Sequence, residues 1–138
     1  MTDFNPQRLI SISSQLAQTG LVADALMAFT KQADVPDVSS SRMQLAVIEW
    51  LNNVIMYGDA PYSLIAIRFV TLGQTLSVII SDQNPALSSD FLEQPHECPD
   101  PLDLPEGGWG MHIIRSIVDR IELKPLDQGN ELTLHLDY

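Results

Sequence analysis

A glycine-rich turn leads directly into an apolar run in the stretch Pro105-Glu106-Gly107-Gly108-Trp109-Gly110-Met111. Apolar side chains then repeat at the spacing of one helix face, namely Met111, Ile114, Ile117, Val118 and Ile121. Glycine permits positive φ, and the first turn of a helix presents unpaired N–H groups at the positive end of its dipole. These features predict a phosphate site at a helix start. A turn that only allows tight packing is the alternative.

The length and composition predict one folded domain over residues 1–138. Of the 138 residues, 45% are hydrophobic and 18% are charged, which is typical of a globular chain. The sequence has neither the ~20-residue apolar run of a membrane span nor the pattern of a signal peptide, so we expect a cytoplasmic protein without a membrane contact. Cys98 is the only cysteine and the three histidines are scattered, so no cysteine-based metal cluster is expected.

The charge of the chain bears on its partners. There are 18 acidic and 7 basic residues, and the formal net charge is −11. Such a surface repels the phosphates of nucleic acids, and no basic cluster compensates locally. The charge therefore disfavours direct nucleic-acid binding and favours a protein partner, or a ligand whose charge is masked by a metal.

Periodicity and turn residues predict the order βααββ, a long loop, then αββ. The predicted strands are 8–13, 63–70, 75–82, 121–124 and 131–136, and the predicted helices are 14–33, one from Ser39, Ser40 or Ser41 to Tyr57, and the glycine-rich one. This order predicts an α+β two-layer sandwich, with a mixed, largely antiparallel sheet and helices on one face. The loop 84–106 holds five of the nine prolines, six acids and no Lys or Arg, and we interpret it as an active-site lid, with plain disorder as the alternative.

The second predicted helix contains Glu49 as its only charge between Arg42 and Asp59. A carboxylate in so apolar a helix is costly to bury unless something pairs with it. Asn53 lies one turn further along the same stripe, so the two side chains offer oxygen ligands that suit Mg²⁺. The alternative is a salt bridge from Glu49 and a loop hydrogen bond from Asn53.

Together, the Glu-x-x-x-Asn helix, the strand ending in Asp82 and the Gly-Gly-x-Gly helix resemble the N, G1 and G2 boxes of the GHKL ATPase superfamily. The resemblance covers nearly the whole chain and is strongest over 45–53 and 107–115. In length and spacing the chain is most similar to the stand-alone anti-sigma-factor serine/threonine kinases of bacterial partner switching.

The resemblance implies a role for each matching residue. Asn53 would bind Mg²⁺ and the phosphates of ATP, and Glu49 would be the general base. Asp82 would accept the adenine amino group. Gly107, Gly108 and Gly110 would let the lid and the helix N-terminus close on the phosphates. The nucleotide site would also include Asn84 and Met111. Tyr57 stands where these kinases often carry His, and we expect it to pack at the helix end.

One departure concerns the G1 box, where Asn84 replaces the first glycine of the family pattern. Asn tolerates the left-handed region, so the turn can survive, but its side chain can crowd the adenine. No Lys or Arg occurs from Phe69 to Ile114. We therefore expect nucleotide binding that is weak and depends on the metal.

The resemblance implies an anti-sigma factor that binds a sigma factor and phosphorylates the small antagonist protein that would displace it. These proteins often form homodimers. The alternative is a protein-binding switch that keeps the fold but transfers no phosphate. A histidine-kinase catalytic domain is the third interpretation, and the lack of room for a dimerisation helix pair disfavours it.

Overall fold

The protein was analysed as a computed structural model, which describes residues 6–59, 61–88, 91–93 and 110–138. The strands are β1 (Gln7–Ser13), β2 (Leu64–Leu72), β3 (Thr75–Asp82), β4 (Arg120–Leu126) and β5 (Gly129–Asp137). The helices are α1 (Thr19–Gln32), α2 (Asp37–Met56) and α3 (Gly110–Ile117). Two short 3-10 turns occupy Leu16–Gln18 and Phe91–Glu93.

The five strands form one sheet in the order β1-β2-β3-β5-β4, and each neighbouring pair is antiparallel. The predicted two-layer α+β fold is confirmed. The sheet is antiparallel throughout, whereas the sequence predicts a mixed, largely antiparallel sheet. The pairing of β3 with β5 sets Asp82 opposite Asn130. Two polar side chains distant in sequence therefore meet at one end of the sheet.

The core lies between one face of the sheet and the helices. Alternate residues of the central strands are buried, as period-2 strands with one covered face require. In β3 this face consists of Leu76, Val78, Ile80 and Asp82. The helices cover it with Leu26 and Phe29 of α1, Leu51 of α2 and Ile114 of α3. Asp82 thus extends the buried face to the strand end.

The second helix begins at Asp37 rather than at the serines predicted to cap it, with Pro36 as the N-cap residue. Ser40 is 4% exposed and its Oγ lies 2.6 Å from Thr30 Oγ1 in α1. The serine hydroxyl therefore joins two helices instead of capping one. The C-terminal end of α2 agrees with the prediction, because the helix ends at Met56 just before Tyr57.

The helices α1 and α3 also differ from the helices that the sequence predicts. In α1 the buried residues are Val22, Ala25, Leu26, Phe29 and Thr30, whereas Leu21 is exposed, and Leu16 lies in the preceding 3-10 turn. The last helix ends at Ile117, and Ile121 belongs to β4. Met111 and Ile114 are buried as predicted.

Much of the predicted lid lies outside the described residues. Of the loop 84–106, the structure describes 84–88 and 91–93, and the predicted site glycines Gly107 and Gly108 also lie outside. In the described part of the chain, no helix has both the length and the apolar character that crossing a membrane requires.

Candidate functional site

A cavity of about 510 Å³ opens between α2, the start of α3 and the adjoining ends of β3 and β5. Its described lining is mainly apolar and aromatic, with a few polar groups, as is usual for small-molecule sites. The lining residues are Trp50, Asn53, Val54, Tyr57, Asp59, Asp82, Asn84, Pro85, Leu87, Phe91, Met111 and Asn130. The cavity therefore contains four predicted nucleotide-site residues: Asn53, Asp82, Asn84 and Met111.

Asp82 ends β3 at the inner wall of the cavity and is 4% exposed. Burial raises the pKa of its carboxyl, while hydrogen bonds from Asn84 and Asn130 act in the lowering direction. Both bonds go to Oδ1, from the Asn84 backbone N–H at 2.9 Å and from Asn130 Nδ2 at 3.5 Å. Among the described residues both donors contact Oδ1, and no hydrogen bond to Oδ2 is observed. Oδ2 is thus the carboxylate oxygen without a described donor.

Asn84 does not use the left-handed backbone that the sequence suggested. The described non-glycine residues with positive φ are Asp34 and Tyr62. The turn after β3 is held instead by the bond from the Asn84 N–H to Asp82, and Asn84 Nδ2 donates to Val54 O at 3.0 Å. Gly58 makes room for this amide, since a Cβ there would lie 2.5 Å from both Nδ2 and Oδ1 of Asn84. The Asn84 side chain therefore joins the loop to the end of α2.

Asn53 meets the start of α3 at the opposite side of the cavity. A Cβ on Gly110 would lie 2.5 Å from Asn53 Nδ2, which is closer than real Cβ atoms approach. Glycine at 110 thus allows the first residue of α3 to pack directly on the amide. Two motifs that the sequence predicted to cooperate are in contact, with the N-terminal end of the helix beside the side-chain amide of Asn53.

Glu49 lies one turn before Asn53 on α2 and is half-buried. It does not line the cavity. Within the described ranges Glu49 forms no salt bridge, which the alternative interpretation required of it. Its helix neighbours Trp50 and Asn53 line the cavity, so Glu49 lies next to the cavity along α2.

Eight described lining residues are not among the predicted site residues: Trp50, Val54, Tyr57, Asp59, Pro85, Leu87, Phe91 and Asn130. Trp50 packs edge-to-face against Phe91, with ring centroids 6.4 Å apart, and its buried Nε1–H has no acceptor among the described residues. Asn130 Oδ1 accepts the Leu87 N–H at 2.7 Å. The position of Trp50 one residue after Glu49 and three before Asn53 was a usable signal. Tyr57, expected to pack at the helix end, is 57% exposed and lines the cavity.

The arrangement can bind a ligand with a flat apolar part, an amino donor and a metal-masked anionic part. The aromatic and apolar walls suit the flat part, and Asp82 Oδ2 suits the amino donor. Asn53 and the start of α3 suit the anionic end. Because Asp59 and Asp82 are the charged residues of the described lining, a cation would have to accompany such an anion.

Solved structures resemble this fold at low sequence identity. The crystal structure of the RsbU and RsbW domains of Rv1364c from Mycobacterium tuberculosis matches 96% of this chain and 32% of that chain, with a TM-score of 0.65 and 13% identity. The Erythrobacter litoralis EL346 blue-light activated histidine kinase matches over 88% of this chain and 41% of its own, at TM-score 0.56 and 18% identity.

A third structure, the histidine kinase AdeS of Acinetobacter baumannii, matches over 94% of this chain and 68% of its own, at TM-score 0.52 and 16% identity. The chain thus spans less than half the length of the first two structures. A comparison with the sequences of curated proteins gives no significant match.

The family comparison covers most of the chain. The profile of the histidine kinase-like ATPase domain matches residues 12–136, which include all the described lining residues of the cavity. The chain therefore belongs to the histidine kinase-like ATPase domain family.

Proposed function

We propose that this protein is an Mg-ATP-dependent serine/threonine protein kinase and anti-sigma factor, which phosphorylates a small antagonist protein in a partner-switching pathway. Membership of an ATPase domain family implies ATP binding. The observation that carries the proposal is that Asn53, packed on Gly110, lines the same cavity as the buried carboxylate of Asp82. The serine/threonine specificity and the two partner proteins rest on the resemblance of the motifs.

In this proposal each residue has one task. Asp82 Oδ2 accepts the adenine amino group, and the Asn53 side-chain oxygen is a ligand of Mg²⁺, which would neutralise phosphate charge. The described lining offers no positive side chain for this purpose. Glu49 accepts the proton of the incoming hydroxyl, for which a position beside the cavity is suitable. Gly107, Gly108 and Gly110 allow the backbone to approach the phosphates.

Calorimetric titration with ATP, with and without Mg²⁺, tests the nucleotide site. We expect Asn53→Ala to weaken Mg-ATP binding about tenfold or more, because it removes a metal ligand. Asn52→Ala is the matched control, since Asn52 is a half-buried neighbour on α2 that does not line the cavity. Binding that is indifferent to both Mg²⁺ and Asn53 would contradict the assignment.

Phosphoryl transfer tests the chemical role of Glu49. With a serine-containing acceptor protein and labelled ATP, Glu49→Gln should reduce transfer about 10²-fold or more while leaving ATP affinity within about twofold. Glu131→Gln serves as the control, because Asn130 faces the cavity and the alternation of β5 sets Glu131 on the opposite face of the sheet. Acid-stable product indicates phosphoserine or phosphothreonine. An acid-labile product would instead favour transfer to histidine.

The second candidate is a protein-binding switch with weak or no kinase activity. Two acids, Asp59 and Asp82, are the charged residues of the described lining, and a carboxamide at position 84 occupies the turn where the family pattern has glycine. Both features weaken the binding of an anionic ligand. ATP binding without transfer to any acceptor, in a protein that still captures a sigma factor, would favour this candidate.

A further inference from the structure

Asn130, the second residue of β5, joins the sheet to the first segment of the long loop. It is 2% exposed, and its amide is hydrogen-bonded at both ends. Its Oδ1 accepts the Leu87 N–H at 2.7 Å, and its Nδ2 donates to Pro85 O at 3.1 Å. Nδ2 also lies 3.5 Å from Asp82 Oδ1. One side chain thus holds two loop residues and the carboxylate at the end of β3.

The segment that Asn130 holds forms a wall of the cavity. Pro85 and Leu87 both line it, as does Phe91 a few residues further on. Asn84 holds one end of the segment through its bond to Val54 O, and the side chains of Leu87 and Phe91 pack against the core. Asn130 adds the hydrogen bonds to the backbone of Pro85 and Leu87.

The same amide also contacts Asp82. Asn130 Nδ2 lies 3.5 Å from Oδ1, to which the Asn84 N–H donates at 2.9 Å, and no described donor contacts Oδ2. Asn130 itself has no spare donor, because both hydrogens of Nδ2 have acceptors. Its effect on a ligand is therefore exerted through Asp82 and the loop wall.

We propose that Asn130 is a positioning residue of the nucleotide site, which fixes the loop wall and the orientation of Asp82 before the ligand arrives. This inference rests on the proposed function. A preformed wall lowers the ordering cost of binding, so the loss of Asn130 should weaken the nucleotide affinity of a protein that remains folded.

Two variants separate the bonds of Asn130. Asn130→Ala removes all of them, whereas Asn130→Asp keeps the acceptor for Leu87 and replaces the donor beside Asp82 with a carboxylate. Gln128→Glu is the control for charge, since it adds one acid to the exposed turn just before β5. Amide hydrogen exchange measures the opening of the loop at Leu87, and calorimetry measures the affinity for Mg-ADP. Thermal unfolding shows whether each variant is folded.

We expect Leu87 exchange to become about tenfold faster in Asn130→Ala and to stay near wild type in Asn130→Asp. Both variants should bind Mg-ADP about tenfold more weakly, whereas Gln128→Glu should bind within about twofold of wild type. That combination supports the proposal. Wild-type affinity in Asn130→Ala with faster Leu87 exchange would overturn it, as would faster exchange spread evenly over the whole sheet.

The test also distinguishes this inference from the function on which it rests. If the wild-type protein gives no heat with Mg-ADP or Mg-ATP, the nucleotide site fails and the positioning role fails with it. If the wild type binds and the Asn130 variants bind equally well, only the positioning role is overturned.

Discussion

Asp82 is a buried carboxylate with one oxygen, Oδ2, that has no described donor. Because burial is the main influence, the pKa of its carboxyl is raised above the ordinary value of 3.8. A raised pKa in the folded state means that the ionised carboxylate lowers the free energy of unfolding at neutral pH. This reduction in the free energy of unfolding becomes smaller as the pH falls through the raised pKa. Below the pKa of the unfolded state, the carboxyl no longer changes the stability. The acceptor is thus maintained at the expense of stability.

Asp82→Asn tests this residue directly. The amide still accepts at Oδ1 but cannot ionise, so we expect a higher free energy of unfolding than wild type at pH 7, measured by urea denaturation. The advantage should shrink as the pH is lowered toward 4, since the wild-type carboxyl then becomes neutral. Asp59→Asn, an exposed change on the same cavity, should stay within about 0.5 kcal/mol of wild type at pH 7. A variant less stable than wild type at pH 7 would contradict the argument.

At the scale of single elements, the C-terminal end of α1 stores local strain. Asp34 follows the C-cap residue Ala33 and has φ +58°, in the left-handed region. The next N–H, from Val35, bonds to Thr30 O at 2.9 Å and closes the turn. Glycine is the residue that adopts this conformation without a Cβ penalty. The position is therefore suboptimal for helix termination.

Asp34→Gly should raise the free energy of unfolding by about 0.5 kcal/mol, because relief of the left-handed strain exceeds the added chain entropy of glycine. The matched control is Asp24→Gly within α1, which should lower it by about 0.3 kcal/mol through helix propensity. Urea denaturation of both variants provides the measurement. Changes of the same sign at the two positions would show that the backbone conformation at 34 is not the cause.

Local patterns predicted most elements, because periodicity and turn residues are local properties. The hairpin around Gly73 and the end of α2 near Tyr57 follow from them. The start of α2 does not, because three serines offer plausible caps, whereas the helix begins at Asp37 and Ser40 instead contacts Thr30 of α1. A contact between helices leaves no signal in the spacing of one helix.

At the scale of the whole molecule, the site also divides into residues predicted from local motifs and residues placed by contacts between distant parts of the chain. Asn53, Asp82 and Gly110 belong to short motifs, so the sequence predicted them as partners before their positions were known. Asn130 was missed because the β3–β5 pairing brings it to Asp82 across 48 residues of sequence. Phe91 was missed because its position depends on how the loop packs against α2. Such residues become identifiable only after strand order and loop path are fixed.

The charge of the whole molecule should set the sign of the salt dependence of nucleotide binding. The net charge is −11, and the described cavity lining is charged only at Asp59 and Asp82. A magnesium nucleotide is still anionic, so it approaches a field of its own sign. Salt screens that repulsion, and we expect affinity to rise about two- to threefold between about 20 and 200 mM NaCl at saturating Mg²⁺.

Asp59→Asn should strengthen binding at low salt and flatten the salt dependence, because it removes one of the repelling charges at the cavity. Calorimetry of both proteins over the same salt series gives the comparison. Most phosphate sites lined by Lys or Arg lose affinity as salt rises, since screening then weakens an attraction. An affinity that falls with salt here would mean that positive side chains contact the phosphates, and it would contradict a site that relies on Mg²⁺ for its positive charge.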